Sequence, residues 1–197
     1  PKAWLSCQVP LMSIHFSRQF RPVTRNDHWM GEKYVEGLVS IIIPTYNRAS
    51  VVTETLHSVY DQEYRPIEII VVDDGSIDDT AEVVEAWIDE NESETIQATL
   101  IRQDNLGAPV ARNRGLIESQ GEFIQYLDSD DIIGKDKLAS QVRMLETRHD
   151  LGACFSQRFP FVVTENKVKV YPPTKDRPWK EKNHLINLLS NNGWFLW

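Results

Sequence analysis

Cysteine is scarce, long apolar runs are missing, and positive charge is outnumbered. The 197 residues include two cysteines, Cys7 and Cys154, far apart and without metal-ligand spacing, which leaves no thiolate zinc site. Two idle thiols suit a reducing compartment, so a cytoplasmic location is expected. The longest apolar runs, such as Ile41-Ile42-Ile43, fall far short of the roughly 20 residues a bilayer-spanning helix needs. No basic-then-apolar leader opens the chain; it begins with Pro1, as a processed or excised piece of something longer would. Membrane association is therefore expected only through a partner or a missing region. The formal net charge of -8 argues against a general nucleic-acid or anionic-membrane binder, while leaving room for a local basic pocket that holds phosphates. The five histidines are dispersed. No serine sits in a nucleophile elbow, and there is neither a P-loop nor a G-x-G-x-x-G.

What is present suits one soluble globular domain: 41% hydrophobic and 25% charged residues, in a chain long enough for a sizeable core. Residues 1–37 mix aromatics, Arg and Pro without a steady period and read as an N-terminal arm or linker. From Leu38 the pattern sharpens. Val39–Ile43 is a β-branched run closed by Pro44, as in a strand buried on both faces. Thr45-Tyr46-Asn47-Arg48 follows as a polar loop, and Ser50 is placed to cap a helix reaching Asp61. Ile67–Val72 is a second buried strand running into Asp73-Asp74-Gly75-Ser76. Asp78 or Asp79 then caps a helix to Glu90. Ala98–Ile101 is a third strand, 108–119 a helix, Glu122–Leu127 a fourth strand and 135–149 another helix. Short strands are expected at 152–157 and 161–163, the latter paired with 167–171 as a hairpin. A short helix at 179–189 and an apolar tail close the chain. This alternation implies an α/β fold with a mostly parallel sheet flanked by helices, carrying a small C-terminal β/α extension.

The chemistry gathers where strands end. The fourth strand runs into Asp128-Ser129-Asp130-Asp131. In an extended segment Asp128 and Asp130 point the same way, and two converging carboxylates need a proton or a cation between them. Oxygen-only ligands favour Mg2+ or Mn2+ over zinc. A solvated acidic turn before the next helix is the simpler alternative. In an open parallel sheet, ligands collect at the carboxyl ends of the strands, so Tyr46, Asp73-Asp74 and Asp128-Ser129-Asp130 should share one edge. Tyr46 can stack on a base or pack on the sheet. Asp73 or Asp74 can accept from a base or ribose, or serve as turn and helix cap. Asp130 can hold a cation that bridges diphosphate oxygens, with Arg112 or Arg114 as neighbouring positive groups or as an exposed helix face.

The blocks Val39-Ser40-Ile41-Ile42-Ile43-Pro44-Thr45-Tyr46-Asn47-Arg48, Ile69-Ile70-Val71-Val72-Asp73-Asp74-Gly75-Ser76 with Asp79-Thr80, Asn105-Leu106-Gly107 with Ala111-Arg112-Asn113-Arg114-Gly115, and Gly121–Asp131 resemble, in order and spacing, a family 2 glycosyltransferase of the GT-A, Rossmann-like fold. They cover roughly 38–152. The resemblance implies a nucleotide-sugar donor, most often a UDP-sugar, a divalent cation (Mn2+ or Mg2+), and an acceptor hydroxyl on a glycan, lipid carrier or other molecule. It implies inverting transfer, in which the hydroxyl attacks C1 while the cation stabilises the departing diphosphate and a carboxylate base takes the proton. Pro44, Thr45 and Tyr46 match the base-pocket side, and Asp73 or Asp74 the carboxylate that meets the base. Asp128 and Ser129 match the ribose and diphosphate contacts, and Asp130 the metal ligand, with Asp128 beside it.

By the same resemblance, 38–134 is the nucleotide-sugar-binding half and 135–197 the start of an acceptor half, read as incomplete. The family's general base usually lies in a C-terminal acidic motif such as Glu-Asp. After Lys182 this chain has neither Asp nor Glu, and Asp176 and Glu181 sit in no matching motif. The base is therefore unassigned. A non-catalytic or truncated nucleotide-sugar-binding or scaffold module is the alternative. A phospho-accepting receiver domain fails on the order of its required Asp and Lys.

Overall fold

A computed structural model describes residues 34–148, together with 12–13, 151–156, 161–164 and 167–170. The chain divides into two compact units, Ser17–Arg148 and a second comprising Pro1–Phe16 with His149–Trp197. In chain order the elements are β1 (Met12–Ser13), β2 (Val35–Thr45), α1 (Val52–Tyr60), β3 (Ile67–Asp73), α2 (Thr80–Asn91), β4 (Ile96–Arg102), α3 (Ala108–Glu118), β5 (Gly121–Tyr126), α4 (Lys137–Thr147), β6 (Cys154–Phe155), β7 (Phe161–Thr164) and β8 (Lys167–Val170). In the second unit β1 pairs antiparallel with β6, and β7 with β8 as the expected hairpin. The predicted helix at 179–189, the apolar tail and most of the N-terminal arm lie outside the described residues. Among those described, no helix is long and apolar enough to cross a membrane.

The larger unit is built on a four-stranded sheet in the order β4-β3-β2-β5, and every pair is parallel. The α/β class follows from this alternation. Residues alternate between faces because a strand turns its side chains with period two. Val39, Ile41 and Ile43 of β2 and Ile67, Ile69 and Val71 of β3 face α1, α2 and α4 through Val52, Leu56, Val59, Val84, Trp87, Leu138 and Val142. Ile70 and Val72 face α3 through Ala111. Each such Ile or Leu, fully buried, contributes about 1.5–3 kcal/mol from removal of apolar surface from water. α3 lies very close to the sheet: a Cβ on Gly115 would stand 2.4 Å from Ile42 Cγ2.

The boundaries differ from the sequence reading in instructive places. β2 starts at Val35 rather than Val39, because Gly37 takes φ +71° and the register against β5 shifts between Val35 and Val39. Pro44 lies inside β2, not after it. The Thr45 carbonyl accepts from Asp74 N–H at 2.9 Å, so Pro44 faces the other neighbour, where the β5 ladder stops with Leu127 N–H on the Ile42 carbonyl at 3.0 Å. A proline is tolerated there since no further ladder donor is needed. Ser50 does not cap α1; Val51 and Val52 N–H both bond the Arg48 carbonyl at 3.0 Å. The fourth strand opens at Gly121 rather than Glu122, with the Gly121 N–H on Ser40 Oγ at 2.7 Å.

The order β4-β3-β2-β5 runs outward from β2 in one direction and then jumps to its other side. The connections after β2 and β5 therefore leave in opposite directions, which makes this edge the switch point at which open α/β sheets take their ligands.

Candidate active site

The loop after β2 is built by hydrogen bonds rather than by hydrophobic packing. Asn47 sits at φ +51°, a left-handed conformation that asparagine tolerates better than most residues. Its N–H bonds Ser76 Oγ at 2.9 Å, and its side-chain Oδ1 accepts the Ile77 N–H at 2.9 Å. Arg48 N–H bonds Thr80 Oγ1 at 2.8 Å, and Ala49 N–H bonds Asp78 Oδ2 at 3.2 Å. These four bonds clasp the loop after β2 to the loop after β3. Asp78 also accepts from the Thr80 hydroxyl and, at 3.2 Å, from Thr80 N–H. Of the two candidate caps for α2, Asp78 is the one in use; the Asp79 side chain makes no capping bond. The Thr80 hydroxyl, followed by the backbone donors, holds the Asp78 carboxyl below the ordinary aspartate value.

Asp73 and Asp74 are both buried. Asp73 Oδ1 accepts Ser76 N–H at 3.0 Å. Its Oδ2 has no hydrogen-bond partner and lies 3.5 Å from Arg102 Nε, a charge contact across paired strands. Asp74 gathers the next loop: Oδ1 accepts Gln103 Nε2 at 2.8 Å and Leu106 N–H at 2.9 Å, and Oδ2 accepts Gly107 N–H at 2.8 Å. These three bonds leave about one of a carboxylate's four lone-pair sites for a ligand. Gly75 between the two loops takes φ +77°, and a Cβ there would meet Asn105 N at 2.9 Å.

After β5 the chain does not remain extended. Asp131 N–H bonds the Asp128 carbonyl at 3.0 Å, so Asp128–Asp131 is a turn. The expected alternation that would aim Asp128 and Asp130 the same way does not operate. Each carboxylate has its own arginine instead. Asp128 Oδ1 accepts Arg112 Nη2 at 2.6 Å, and Asp130 Oδ2 lies 3.7 Å from Arg48 Nε. Arg112 thus reaches the acidic turn, while Arg114 pairs with Glu118 on α3 at 2.9 Å. Ser129 is buried and Asp130 exposed. Burial raises the Tyr126 phenol, with Arg112 pulling the other way.

Tyr46, 41% exposed, stands in the loop after β2, whereas Pro44 and Thr45 are buried beneath it. The Thr45 hydroxyl has no hydrogen-bond partner. The Arg48–Asp130 pair joins this loop to the acidic turn. An open depression of about 530 Å³ is lined by Gly75, Arg102, Gln103 and Asp104, none of them in the acidic turn. Among the described residues no three Asp, Glu, His or Cys side chains converge as a complete metal cage. Each of the two carboxylates keeps one oxygen off its arginine, so the turn offers oxygen ligands of the kind a hard cation takes. Sequence reasoning gave no role to Ser76 or Gln103 and saw Asp78 only as a helix cap. For Ser76 and Asp78 the signal was present in the Asp-Gly-Ser-x-Asp-x-Thr run, which reads as a turn until its partners are known.

A parallel sheet whose strands end in polar loops is the open α/β arrangement. The chain matches the model of glycosyl transferase family 2 over residues 40–194, and it belongs to that family. It is 40% identical over 111 residues to TuaG of Bacillus subtilis, named for teichuronic acid biosynthesis, covering 56% of this chain and 43% of that protein. It is 34% identical over 112 residues to TarS of Staphylococcus aureus, a poly(ribitol-phosphate) beta-N-acetylglucosaminyltransferase, covering 56% of this chain and 19% of TarS. The chain thus spans less than half of either relative. Its fold is similar to S. aureus TarS 1–349 in complex with UDP, with a TM-score of 0.50 and 32% identity over 56% of this chain and 32% of that one. It is also similar to the mannosyltransferase PcManGT of Pyrobaculum calidifontis in complex with GDP-Man and Mn2+, with a TM-score of 0.51 and 32% identity over 54% of this chain and 32% of that one.

Proposed function

We propose that this chain is the donor-binding portion of an inverting glycosyltransferase that uses a nucleotide-diphosphate sugar, most often a UDP-sugar, together with Mn2+ or Mg2+. The observation that carries the reading lies at the switch point, where the Arg48–Asp130 pair joins the loop that carries Tyr46 to the acidic turn. Support also comes from the relatives, one solved with UDP and another with GDP-Man and Mn2+.

In this reading the half-exposed Tyr46 ring stacks on the base, above buried Pro44 and Thr45. Asp73 and Asp74 hold the floor, and the remaining acceptor site of Asp74 meets a base N–H. Arg112 occupies Asp128 Oδ1, which leaves Oδ2 for ribose hydroxyls beside Ser129. Asp130, with Asp128 next to it, holds the cation, which supplies Lewis-acid stabilisation to the departing diphosphate. In the transfer itself an acceptor oxygen on a glycan, lipid carrier or other molecule bonds to C1 as the C1–O bond to the diphosphate breaks. The acceptor proton goes to a carboxylate base, for which no residue is assigned.

The test is titration calorimetry of UDP into the chain, first with Mn2+ and then with EDTA. Binding that requires Mn2+ and disappears in Asp130→Asn supports the reading; metal-independent binding removes the cation from it. Tyr46→Ala should weaken UDP binding by about 1–3 kcal/mol, the scale of base–aromatic stacking. A binding or scaffold module without transfer activity is the second reading, favoured by the absence of Asp and Glu after Lys182. Release of free sugar or a glycosylated acceptor from a UDP-sugar separates the two.

A further inference from the structure

The donor reading uses the Arg48–Asp130 pair to mark the site but gives Arg48 no contact with the ligand. Arg48 Nε lies 3.7 Å from Asp130 Oδ2, with side chains 43% and 54% exposed. The same guanidinium donates through Nη1 to the carbonyls of Tyr46 at 3.4 Å and Asn47 at 3.2 Å. Its backbone is fixed: Arg48 N–H is held by Thr80 Oγ1, and the neighbouring Asn47 and Ala49 by Ser76 and Asp78. Arg48 is therefore a half-exposed charged head on a fixed root, resting against the carboxylate assigned to the cation. Half-exposed ion pairs are weak and easily exchanged.

Charge balance indicates what the exchange accomplishes. Asp128 and Asp130 are balanced by Arg112 and Arg48. A divalent cation alone would bring two extra positive charges into the site, and a diphosphate diester alone two negative ones. Entering together they leave the balance unchanged. We propose that Arg48 is a donor-binding residue held in reserve: its guanidinium occupies Asp130 while the site is empty, gives way as the cation binds, and turns to the diphosphate. This rests on the donor-site reading above and extends it by naming the residue that couples cation to donor. By reciprocity, each ligand then tightens the binding of the other.

The experiment measures Mn2+ binding alone by electron paramagnetic resonance and UDP binding at saturating Mn2+ by calorimetry, for the wild-type chain, Arg48→Gln and Arg48→Lys. The two affinities of Arg48→Gln should move in opposite directions. Mn2+ alone binds about two- to fivefold tighter, the range given by loss of a half-exposed ion pair. UDP with Mn2+ binds about tenfold more weakly, as expected for a lost charge-assisted contact. Arg48→Lys should restore both in part. Unchanged Mn2+ affinity, or both affinities moving the same way, overturns the proposal while leaving the donor site intact. Absence of UDP–Mn2+ binding in the wild-type chain overturns the donor-site reading, and this proposal with it. Circular dichroism of each variant verifies that the fold is retained.

Discussion

Arg112 on α3 donates to Asp128 Oδ1 at 2.6 Å, tying a helix on one face of the sheet to the turn that follows β5. The arginine is mostly buried and the aspartate one-third exposed. Arg112→Ala leaves the carboxylate without its donor and should cost about 1.5–3 kcal/mol, the range for a hydrogen bond to a charged group. UDP–Mn2+ affinity should fall as Asp128 loses its orientation. Arg112→Lys should recover charge but not the planar fork, so it restores stability better than affinity. Equal recovery of both would mean that Asp128 orientation is unimportant.

Asp74 supports the loop between β4 and α3 with one side chain. An asparagine there keeps one acceptor oxygen and turns an NH2 group toward these part-buried donors. At least one of the Leu106 or Gly107 N–H groups is then unsatisfied. Asp74→Asn should lower unfolding free energy by about 3 kcal/mol, combining an orphaned donor with a lost charged acceptor. Urea denaturation with an unchanged slope would register this as stability alone. A loss below about 1 kcal/mol would mean the loop is held by other means.

Gly115 tests the closeness of α3 to the sheet. Alanine normally improves a helix interior by about 1 kcal/mol over glycine. Here its Cβ would stand 2.4 Å from Ile42 Cγ2 and 3.3 Å from Val72 Cγ2. Overpacking costs about 1–3 kcal/mol, so Gly115→Ala should lower the thermal midpoint. A higher midpoint would mean that the helix lifts from the sheet at little cost.

The loop clasp should respond to acid. The folded-state value of Asp78 is lowered first by the Thr80 hydroxyl and then by the Ala49 and Thr80 amides. A depressed carboxylate contributes its stability fully above the unfolded value of about 3.9 and loses it as pH falls through the lower folded value. The Ala49 and Thr80 amide resonances should therefore move together below about pH 4, and this step should vanish in Asp78→Asn. Amides that stay fixed in the wild-type chain at that pH would show that Asp78 does not hold the clasp.

The strands of the sheet could be read from the chain because burial on both faces writes itself as unbroken Val and Ile, and parallel order follows from alternation with helices. The same reasoning gathers the polar loops after β2, β3 and β5 at one edge of the sheet. What the sequence concealed depends on partners distant along the chain. Asp128 and Asp130 share a face only if the strand continues, and the turn bond from Asp131 ends it. Asp74 reads as a base ligand or a cap, and its bonds to Gln103, Leu106 and Gly107 appear only once that loop folds back onto it. Ser50 has capping chemistry, but the Arg48 carbonyl already takes the first amides of α1. Arg112 and Arg114 are indistinguishable by composition and are separated only by where α3 sits on the sheet.

The left-handed Asn47, pinned on both sides by Ser76 and Ile77, has a thermodynamic consequence. A loop that closes around a ligand normally loses conformational freedom in the act of binding, which weakens the observed affinity. Here the backbone beneath Tyr46 and Arg48 is ordered when the chain folds, so that entropy loss falls on folding rather than on recognition. The rotamers of the two side chains are what remains to be fixed when a nucleotide arrives.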